Sequence, residues 1–408
     1  MSRAEPATHS LLIDKRRRVL RGAAPGAAAL FLVLGALLAA PLPGVPAAPT
    51  APAAPSETVD AMLARLGIQA APTPVRERKD WRPPRKVLLL AFNPATAGER
   101  DRLAAAVPRA RFVLAKDVTE AVREAADADV LIGFNPQICN ARIIDGAHQL
   151  RWILSLAAGV ENCMAVPGVR ARNLLLTNMR GVDSAVIAEH AIALALALAH
   201  GLDVFAADTA RAHWSRGEAA QPRMQMLRGK TLLVVGLGGI GTEVAKRAHG
   251  LGMNVVATRE GGSGGPEFVS HIGQPGELLT LAREADVIVN AVPLTPQTTH
   301  MYNAQFFAVL KPTALFINVA RGRSVVTDEL VKALDEHRLA GAGLDVVDPE
   351  PLPPEHPLWK APRVIITPHT SSSSDLPGVE RWVIARENLR RYAAGERMLS
   401  VVDLQRGY

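Results

Sequence analysis

Three glycines with the spacing Gly236-Leu-Gly238-Gly-Ile-Gly241 follow directly after the apolar run Thr231–Val235. In a strand–turn–helix unit, the first glycine makes the tight turn, the second lets the backbone approach a pyrophosphate, and the third lets helix and strand pack closely. The N-terminus of the following helix then points at the phosphates. A second strand predicted at Asn254–Thr258 completes the unit. The pattern therefore predicts a dinucleotide site, whereas the glycines alone would indicate only a tight turn.

The residues that end the second strand bear on which dinucleotide fits. An acidic side chain at this position accepts hydrogen bonds from the ribose hydroxyls of NAD. Here the chain has Thr258, Arg259 and Glu260. An arginine and a hydroxyl suit a 2′-phosphate, which a carboxylate would repel. We therefore expect NADP to be preferred, with NAD as the alternative if Glu260 turns inward.

Four further segments contain residue types suited to acid–base chemistry and anion binding: a glycine-containing loop, an arginine, acids and a histidine. They are Ser155–Asn162 (SLAAGVEN), Lys311–Gly322 (KPTALFINVARG), Gly343–Pro351 (GLDVVDPEP) and Ile366–His369 (ITPH). Together these segments resemble those of the D-isomer-specific 2-hydroxyacid dehydrogenases. The resemblance runs from about Val87 to Tyr408.

The resemblance implies that Arg321, Glu350 and His369 carry the chemistry. A histidine titrates near neutral pH and can protonate a carbonyl oxygen, while a carboxylate partner stabilises its charged form. An arginine fork can bind the substrate carboxylate. Asp348 competes with Glu350 for the partner role, but Glu350 lies five residues after Asp345, as in the family. Without the resemblance, one histidine among eleven would more often be structural.

The resemblance also implies how the ligands are held. Backbone N–H groups of Ala158, Gly159 and Val160 would bind the substrate carboxylate together with Arg321, and Asp345 would anchor the nicotinamide amide. The implied cofactor contacts are Gly236, Gly238, Gly239, Ile240, Gly241, Thr258, Arg259, Val292, Pro293, Thr298, Val319 and Asp345. The serine-rich run 370–374 departs from the small or glycine residues usual after the histidine. Because it follows His369, we expect it to lie near the substrate.

Short apolar runs alternate with helical patterns from Lys86 onward, which predicts an α/β protein with parallel sheets. The resemblance implies two Rossmann-like domains. A flavodoxin-like substrate domain would comprise residues 85–182 plus 369–408, and a dinucleotide-binding domain of residues 183–368 would be inserted into it. The active site would lie in the cleft between them, with hinges near Asp183 and His369.

Three helical patterns supplement this alternation. Ser56 is a candidate N-cap for a short amphipathic helix over 59–66, which with a connector makes up residues 57–84. The apolar run Val186–His200 is too short to span a bilayer, so we expect a buried helix at a domain or subunit interface. The run Arg386–Glu396 predicts a helix that ends at Gly395.

The formal net charge of +7 on 408 residues does not indicate a nucleic-acid partner. Residues 1–21 contain six basic and two acidic residues, a net of +4, which leaves +3 for the rest of the chain. Aromatic residues make up only 4% of the chain, too few for a platform on which bases stack. The important positive charges are therefore expected to be local.

The first 56 residues read as a signal or anchor segment followed by a linker. Basic residues precede the 14-residue apolar stretch Ala27–Ala40, a length typical of a signal peptide and short for a membrane span. The run Arg16-Arg17-Arg18-Val19-Leu20-Arg21 resembles a twin-arginine export signal. Six prolines in residues 41–55 indicate an extended linker. Export to the periplasm is the favoured interpretation; an uncleaved anchor, or a cytoplasmic protein with a misassigned start, are the alternatives.

The remaining candidate ligands are few. Cys139 and Cys163 exclude a disulfide scaffold or a zinc ribbon; they could form one bridge after export, but two free thiols are favoured. His190 and His300 fall in family-like segments, where packing roles are expected. We expect no metal site.

The sequence thus favours an oxidoreductase that interconverts a small 2-oxo acid and its D-2-hydroxy acid using NADPH or NADH. The alternative is a dinucleotide-sensing, corepressor-like protein without turnover. A homodimer is a further implication of the resemblance, with the apolar run 186–200 as its interface. Contact with a membrane is expected only through the N-terminal segment.

Overall fold

The computed structural model describes residues 57–92, 94–217, 223–374 and 377–408. Within these ranges two separate parallel sheets form the framework, and helices pack on them. The predicted α/β class with parallel sheets is confirmed. The predicted export signal and proline-rich linker, together with the candidate cap Ser56, lie outside the described residues.

The first sheet has the strand order β2-β1-β3-β4-β5, with every pair parallel. Its strands are β1 Lys86–Leu90, β2 Arg111–Ala115, β3 Val130–Gly133, β4 Trp152–Ser155 and β5 Leu175–Thr177. Strands β1, β3 and β4 are buried along their whole length, which explains why each is a continuous apolar run instead of an alternating one. Successive strands are added in opposite directions on either side of β1 and β3, so a crevice opens at their carboxyl ends.

The second sheet has the order β12-β11-β10-β9-β6-β7-β8 and is also parallel. Its strands are β6 Thr231–Val235, β7 Asn254–Thr258, β8 Val269–Gly273, β9 Val287–Asn290, β10 Leu315–Asn318, β11 Gly341–Leu344 and β12 Val364–Ile366. The order reverses between β6 and β9. That switch point is where open α/β sheets bind ligands, and it lies next to the glycine motif that follows β6.

The helices connect and cover these strands. They are α1 Val59–Arg65, α2 Pro94–Gly98, α3 Arg100–Ala106, α4 Val118–Glu124, α5 Ala141–Gly146, α6 Glu161–Met164, α7 Pro167–Ala171, α8 Ser184–Ala199, α9 Leu202–Ala210, α10 Gly239–Gly250, α11 Leu278–Glu284, α12 Ala304–Ala308, α13 Thr327–Asp335 and α14 Pro377–Ala394. No single helix in the described ranges is long and apolar enough to cross a membrane. Helices α8 and α9 reach that length only as a pair bent by 74°.

The apolar helix α8 belongs to the core around the second sheet. Nine of its sixteen residues are buried, and it packs against α10, β10 and β11. Its apolar composition is therefore explained by contacts within the chain. A dimer interface along this helix, as expected from the sequence, could use only those residues of the helix that are not buried within the chain.

Two predicted helices have different ends in the structure. Helix α1 is capped by the Thr58 side chain, which accepts a hydrogen bond from the amide of Ala61, and it ends at Arg65. Helix α14 begins at Pro377 and not at Arg386, because buried Ile384 extends its apolar face toward the N-terminus. A proline is tolerated in a first helical turn, where its missing N–H has no helical acceptor.

The chain returns to the first sheet after completing the second. Ile384 and Leu389 of α14 share a buried cluster with Val87 and Leu89 of β1. All strands of the first sheet precede the predicted boundary at 182/183, and all strands of the second sheet lie between that boundary and the one at 368/369. The exact boundary residues stay a prediction.

Cys139 and Cys163 form a disulfide, with Cα atoms 4.6 Å apart, so the expectation of two free thiols is wrong. Cys139 lies in the turn after β3, and Cys163 lies in α6 after β4. Because β3 and β4 are neighbouring parallel strands, the segments beyond their carboxyl ends lie side by side. Both cysteines are buried. The bond links the turn after β3 to the segment that contains the predicted substrate loop.

Candidate functional site

The glycine motif forms the turn between β6 and α10. Gly236 has a φ of +97°, and a side-chain carbon added there would lie 2.8 Å from Cγ1 of Val292. A carbon added at Gly241 would collide with the carbonyl oxygen of Gly236, so only glycine allows helix and strand to pack this closely. At Gly238 the added carbon would meet open space. This leaves room beside the N-terminus of α10 for a pyrophosphate.

The other residues expected to hold the cofactor lie at or beyond the carboxyl ends of neighbouring strands. Thr258 ends β7, while Val292, Pro293 and Thr298 follow β9, Val319 follows β10, and Asp345 follows β11. The hydroxyl of Thr298 donates a 2.7 Å hydrogen bond to the carbonyl oxygen of Pro293, which ties the loop after β9 together. Because these strands are adjacent, the set follows one edge of the sheet. The residues present fit a nicotinamide dinucleotide.

Arg259 and Glu260 point to different partners. Nη1 of Arg259 donates to the carbonyl oxygen of Gly264, in the loop after β7. The carboxylate of Glu260 accepts a hydrogen bond from the Tyr408 hydroxyl and lies 3.9 Å from Nη1 of Arg406. Glu260 is therefore engaged by the C-terminal segment.

His369 follows β12 and is paired with Glu350. The two side chains are joined by a 2.9 Å hydrogen bond between Nδ1 of His369 and Oε2 of Glu350. The amide of Val347 donates to Oε1 of the same carboxylate at 3.0 Å, which orients it. His369 has a φ of +51°, and its own amide donates to the carbonyl oxygen of Asp345 at 2.8 Å. Glu350, and not Asp348, is thus the acid paired with this histidine.

The pairing changes both pKa values. The hydrogen bond with Glu350 raises the pKa of His369 above its usual value, against the opposing effects of burial and of the Arg321 charge. Burial raises the pKa of Glu350, but the hydrogen bonds from His369 and Val347 outweigh it, so the net shift is downward. The pair therefore favours a charged imidazolium beside a carboxylate, and such an imidazolium can donate a proton.

Asp345 is buried and is held by several donors. Its Oδ1 accepts from the hydroxyl of Thr367 at 2.7 Å and from the amide of Thr370 at 2.9 Å, and its Oδ2 accepts from the amide of Ser371 at 3.1 Å. Burial raises the pKa of Asp345, but these hydrogen bonds outweigh it and lower the pKa. The first residues of the serine-rich run thus hold Asp345, a contact that the sequence analysis did not anticipate.

His190 of α8 extends this network. Its Nε2 lies 2.9 Å from the Thr367 hydroxyl. Because that hydroxyl donates to Asp345, it accepts from His190, so Nε2 of the imidazole carries a proton. His190 therefore supports Asp345 through Thr367, in agreement with the structural role expected for it.

The predicted substrate loop is held by two asparagines. Nδ2 of Asn135 donates to the carbonyl oxygen of Gly159 at 2.5 Å, and Nδ2 of Asn178 donates to that of Ala158 at 2.6 Å. Within the described ranges, the backbone N–H groups of Ala158, Gly159 and Val160 donate no hydrogen bond to another group of the chain. These N–H groups are suited to bind carboxylate oxygens.

Arg321, which follows β10, lies against this loop. Its Nε and Nη2 donate to the two carboxylate oxygens of Glu161 at 2.9 and 3.4 Å. A side-chain carbon at Gly159 would collide with Nη2 of Arg321, so the glycine permits this close approach. The structure therefore brings Arg321 to the residues expected to bind the substrate carboxylate. Its charge also acts on the pKa values of His369 and Glu350.

Four residues make supporting contacts that were not predicted from the sequence: Asn135, Glu161, Asn178 and Ser371. A signal was available for the asparagines, because each stands within two residues of the carboxyl end of a buried strand. Glu161 lies within the quoted loop motif, but its pairing with Arg321 joins residues 160 positions apart. No sequence pattern indicates such a contact.

Comparison with known proteins agrees with this site. The family description "D-isomer specific 2-hydroxyacid dehydrogenase, NAD binding domain" matches residues 192–371. A glyoxylate reductase from Thermococcus litoralis is 35% identical over 285 residues, which cover 68% of this chain and 83% of the relative. A glyoxylate reductase from Korarchaeum cryptofilum is 33% identical over 283 residues, which cover 67% and 82%.

Solved structures of similar fold cover more than three quarters of the chain. A D-isomer-specific 2-hydroxyacid dehydrogenase family protein from Aeromonas salmonicida superposes with a TM-score of 0.68 at 29% identity, covering 78% of this chain and 99% of that one. An NADPH-dependent glyoxylate/hydroxypyruvate reductase from Sinorhizobium meliloti, solved with NADP and sulfate, gives 0.66 at 25% identity, covering 79% and 100%. The chain belongs to the D-isomer-specific 2-hydroxyacid dehydrogenases, a family of NAD(P)-dependent oxidoreductases.

Proposed function

We propose that the protein reduces a small 2-oxo acid to the D-2-hydroxy acid, or catalyses the reverse reaction, with His369 as the acid–base group. The observation that carries this proposal is the 2.9 Å hydrogen bond between His369 and Glu350, in a site that also contains Arg321. Relatives named glyoxylate reductase support a small substrate such as glyoxylate or hydroxypyruvate.

A bound nicotinamide dinucleotide supplies the hydride in this reaction. The side chain of Arg321 and the N–H groups of Ala158–Val160 bind the substrate carboxylate, and the arginine charge polarises the neighbouring carbonyl. His369 gives its proton to the carbonyl oxygen during reduction and removes it during oxidation. Glu350 stabilises the imidazolium and keeps the ring oriented. Asp345, buried beside His369, would hold the nicotinamide amide.

A dinucleotide-sensing protein without turnover is the alternative. It would use the same glycine turn and the same strand edge, but it would not need the hydrogen bond between His369 and Glu350. The retention of that complete pair favours an enzyme.

The full-length protein should oxidise NADPH or NADH in the presence of small 2-oxo acids, measured by loss of absorbance of the reduced cofactor. Replacing His369 with Gln should lower kcat by roughly 10²–10⁴-fold, because the proton donor is lost. His148→Gln is a matched control, because His148 is exposed and lies before β4. It is therefore at the amino end of that strand, away from the carboxyl ends that carry the site. No turnover with either cofactor across a panel of 2-oxo acids would contradict the enzyme and favour the sensor.

The pH profile provides a second readout of the same pair. Reduction requires protonated His369, whose pKa is raised, so kcat/KM for reduction should hold to above pH 6.5 and fall as the pH passes the raised pKa. Glu350→Gln removes the group that raises this pKa, and the falling limb should move to lower pH. If the falling limb of the pH profile stays at the same pH in this variant, Glu350 does not raise the pKa of His369.

We propose that NADP is preferred over NAD. Arg259 follows Thr258 at the end of β7, where the ribose of the adenosine half would bind. Glu260 is bound by Tyr408 and lies near Arg406, contacts that partly offset its repulsion of a 2′-phosphate. A structural neighbour solved with NADP supports the same preference.

Arg259→Asp should reverse this preference, because a carboxylate repels a 2′-phosphate and accepts hydrogen bonds from a ribose diol. We expect the ratio of the NADPH to the NADH dissociation constant to rise at least tenfold, about 1.4 kcal/mol. Fluorescence titration of each reduced cofactor measures this without turnover. Arg283→Asp, an exposed arginine in α11, is the control. An unchanged ratio in Arg259→Asp would refute the role of Arg259.

We propose that the protein is a homodimer whose interface includes the exposed apolar residues around α9. Leu202, Trp214, Met224 and Met226, which fall in one stretch of the sequence, are 53%, 85%, 59% and 69% exposed, so these large apolar side chains are available for a partner to cover. A second copy of the chain is the expected partner. Trp214→Glu should halve the mass measured by sedimentation equilibrium, while Trp359→Glu, at an exposed tryptophan elsewhere, should not. A single-chain mass for the unmodified protein would contradict the dimer.

We propose that the protein is exported through a twin-arginine signal. The basic and apolar residues of the first 40 positions support this, and so does the disulfide, because structural disulfides persist in oxidising compartments and are rare in the cytoplasm. The twin-arginine route carries folded proteins, which would allow the cofactor to be loaded before export.

Replacing Arg16 and Arg17 with Lys should retain the protein in the cytoplasm. Alkylation of fractionated cells, followed by mass spectrometry, should then find Cys139 and Cys163 labelled in the variant but protected in the unmodified exported protein. Arg3→Lys is the control, since it lies outside the paired motif. Normal export of the double variant would contradict the signal.

A further inference from the structure

The guanidinium group of Arg321 already holds a carboxylate that belongs to the chain. Glu161 accepts from Nε at 2.9 Å and from Nη2 at 3.4 Å, and the remaining nitrogen, Nη1, donates to the carbonyl oxygen of Ala320 at 2.6 Å. All three nitrogens of the fork therefore have a partner. The two side chains are about one-third exposed, so the ion pair is open to solvent and to ligands.

Glu161 occupies the arginine in the way that a substrate carboxylate would. A carboxylate binds one edge of a guanidinium through two parallel hydrogen bonds. The edge of Arg321 that contains Nε and Nη2 can therefore bind only one carboxylate at a time. Glu161 is the first residue of α6 and lies two positions after Gly159, against which Nη2 of Arg321 is packed. The loop that should bind the substrate carboxylate thus also carries a carboxylate that competes for the same arginine.

We propose that Glu161 is a specificity-determining residue whose carboxylate must leave Arg321 when the substrate carboxylate binds. This proposal deepens the proposed function and rests on it. The substrate carboxylate replaces the Glu161 carboxylate on Arg321. This exchange weakens the binding of every 2-oxo acid, because the Glu161–Arg321 ion pair must first be broken.

The displaced carboxylate also selects the class of substrate. Glu161 is anchored in the substrate loop, so after exchange its negative charge stays close to the bound acid. In the structure, Arg321 is balanced by Glu161, and charged His369 is balanced by Glu350. A second carboxylate on the substrate finds no unpaired positive charge among these four groups, and it faces Glu161. The site therefore favours 2-oxo monocarboxylates over 2-oxo dicarboxylates.

Replacing Glu161 with Gln tests the exchange, because Gln keeps the volume and loses the charge. Oxamate, an unreactive monoanion with the shape of a 2-oxo acid, serves as the probe in calorimetric titrations of the protein saturated with cofactor. We expect oxamate to bind E161Q on the order of tenfold more tightly than it binds the unmodified protein. E161A should show the same direction, and Glu336→Gln, which breaks a surface pair with Arg338, should show no change.

The second readout compares 2-oxoglutarate with 2-oxopentanoate, which have the same chain length and differ by a terminal carboxylate. In E161Q the KM for 2-oxopentanoate should fall while kcat changes little, and kcat/KM for 2-oxoglutarate should rise further, by on the order of another tenfold.

The proposal is overturned if oxamate binds E161Q and E161A no more tightly than the unmodified protein, or if it binds none of them. It is also overturned if E161Q raises KM and lowers kcat together, since Glu161 would then only orient Arg321. If kcat/KM of E161Q rose equally for 2-oxoglutarate and 2-oxopentanoate, Glu161 would have no role in selecting between monocarboxylates and dicarboxylates. If no variant turns over any 2-oxo acid but oxamate binding still tightens, the exchange stands and the proposed reaction fails.

Discussion

All strands in each sheet run in one direction, and the assembly of the site depends on this constraint. Parallel strands place their carboxyl ends on a common edge, so residues far apart in sequence become neighbours. The glycine turn, Asp345 and His369 follow three strands of the second sheet, while the substrate loop follows a strand of the first. The functional side chains are therefore positioned by the ends of strands, and the short loops beyond these ends carry the polar groups.

Paired charges dominate the electrostatics of this edge. His369 is balanced by Glu350 and Arg321 by Glu161, so neither cation faces solvent without a partner. Both pairs are partly exposed, and opposite charges in such positions hold each other weakly enough to exchange partners. In the proposed reaction the site binds and releases an anion in every cycle, and this balance favours release because a bare cation would retain the product.

Strands such as β1, β3, β4 and β6 could be predicted from the sequence because they are buried and appear as apolar runs, whereas β8, with exposed Ser270 and His271, does not stand out in this way. The glycine turn could be predicted because close packing leaves no alternative residue at Gly241. Contacts that depend on which loops meet could not be predicted, since no local pattern encodes them. The disulfide between Cys139 and Cys163 arises because β3 and β4 are adjacent, and the support of Asp345 by Ser371 arises from the path of the chain after β12. The early start of α14 was missed for a different reason: its first two residues, Pro377 and Gly378, are poor helix formers.

The exposure of the His369–Glu350 pair bears on where protons come from. The two side chains are 49% and 37% exposed, so the pair lies open to solvent in this structure. In the proposed reaction each reduction consumes one proton, and the solvent can replace it without a relay of buried side chains or trapped waters. The rate of reprotonation then depends on the surrounding buffer.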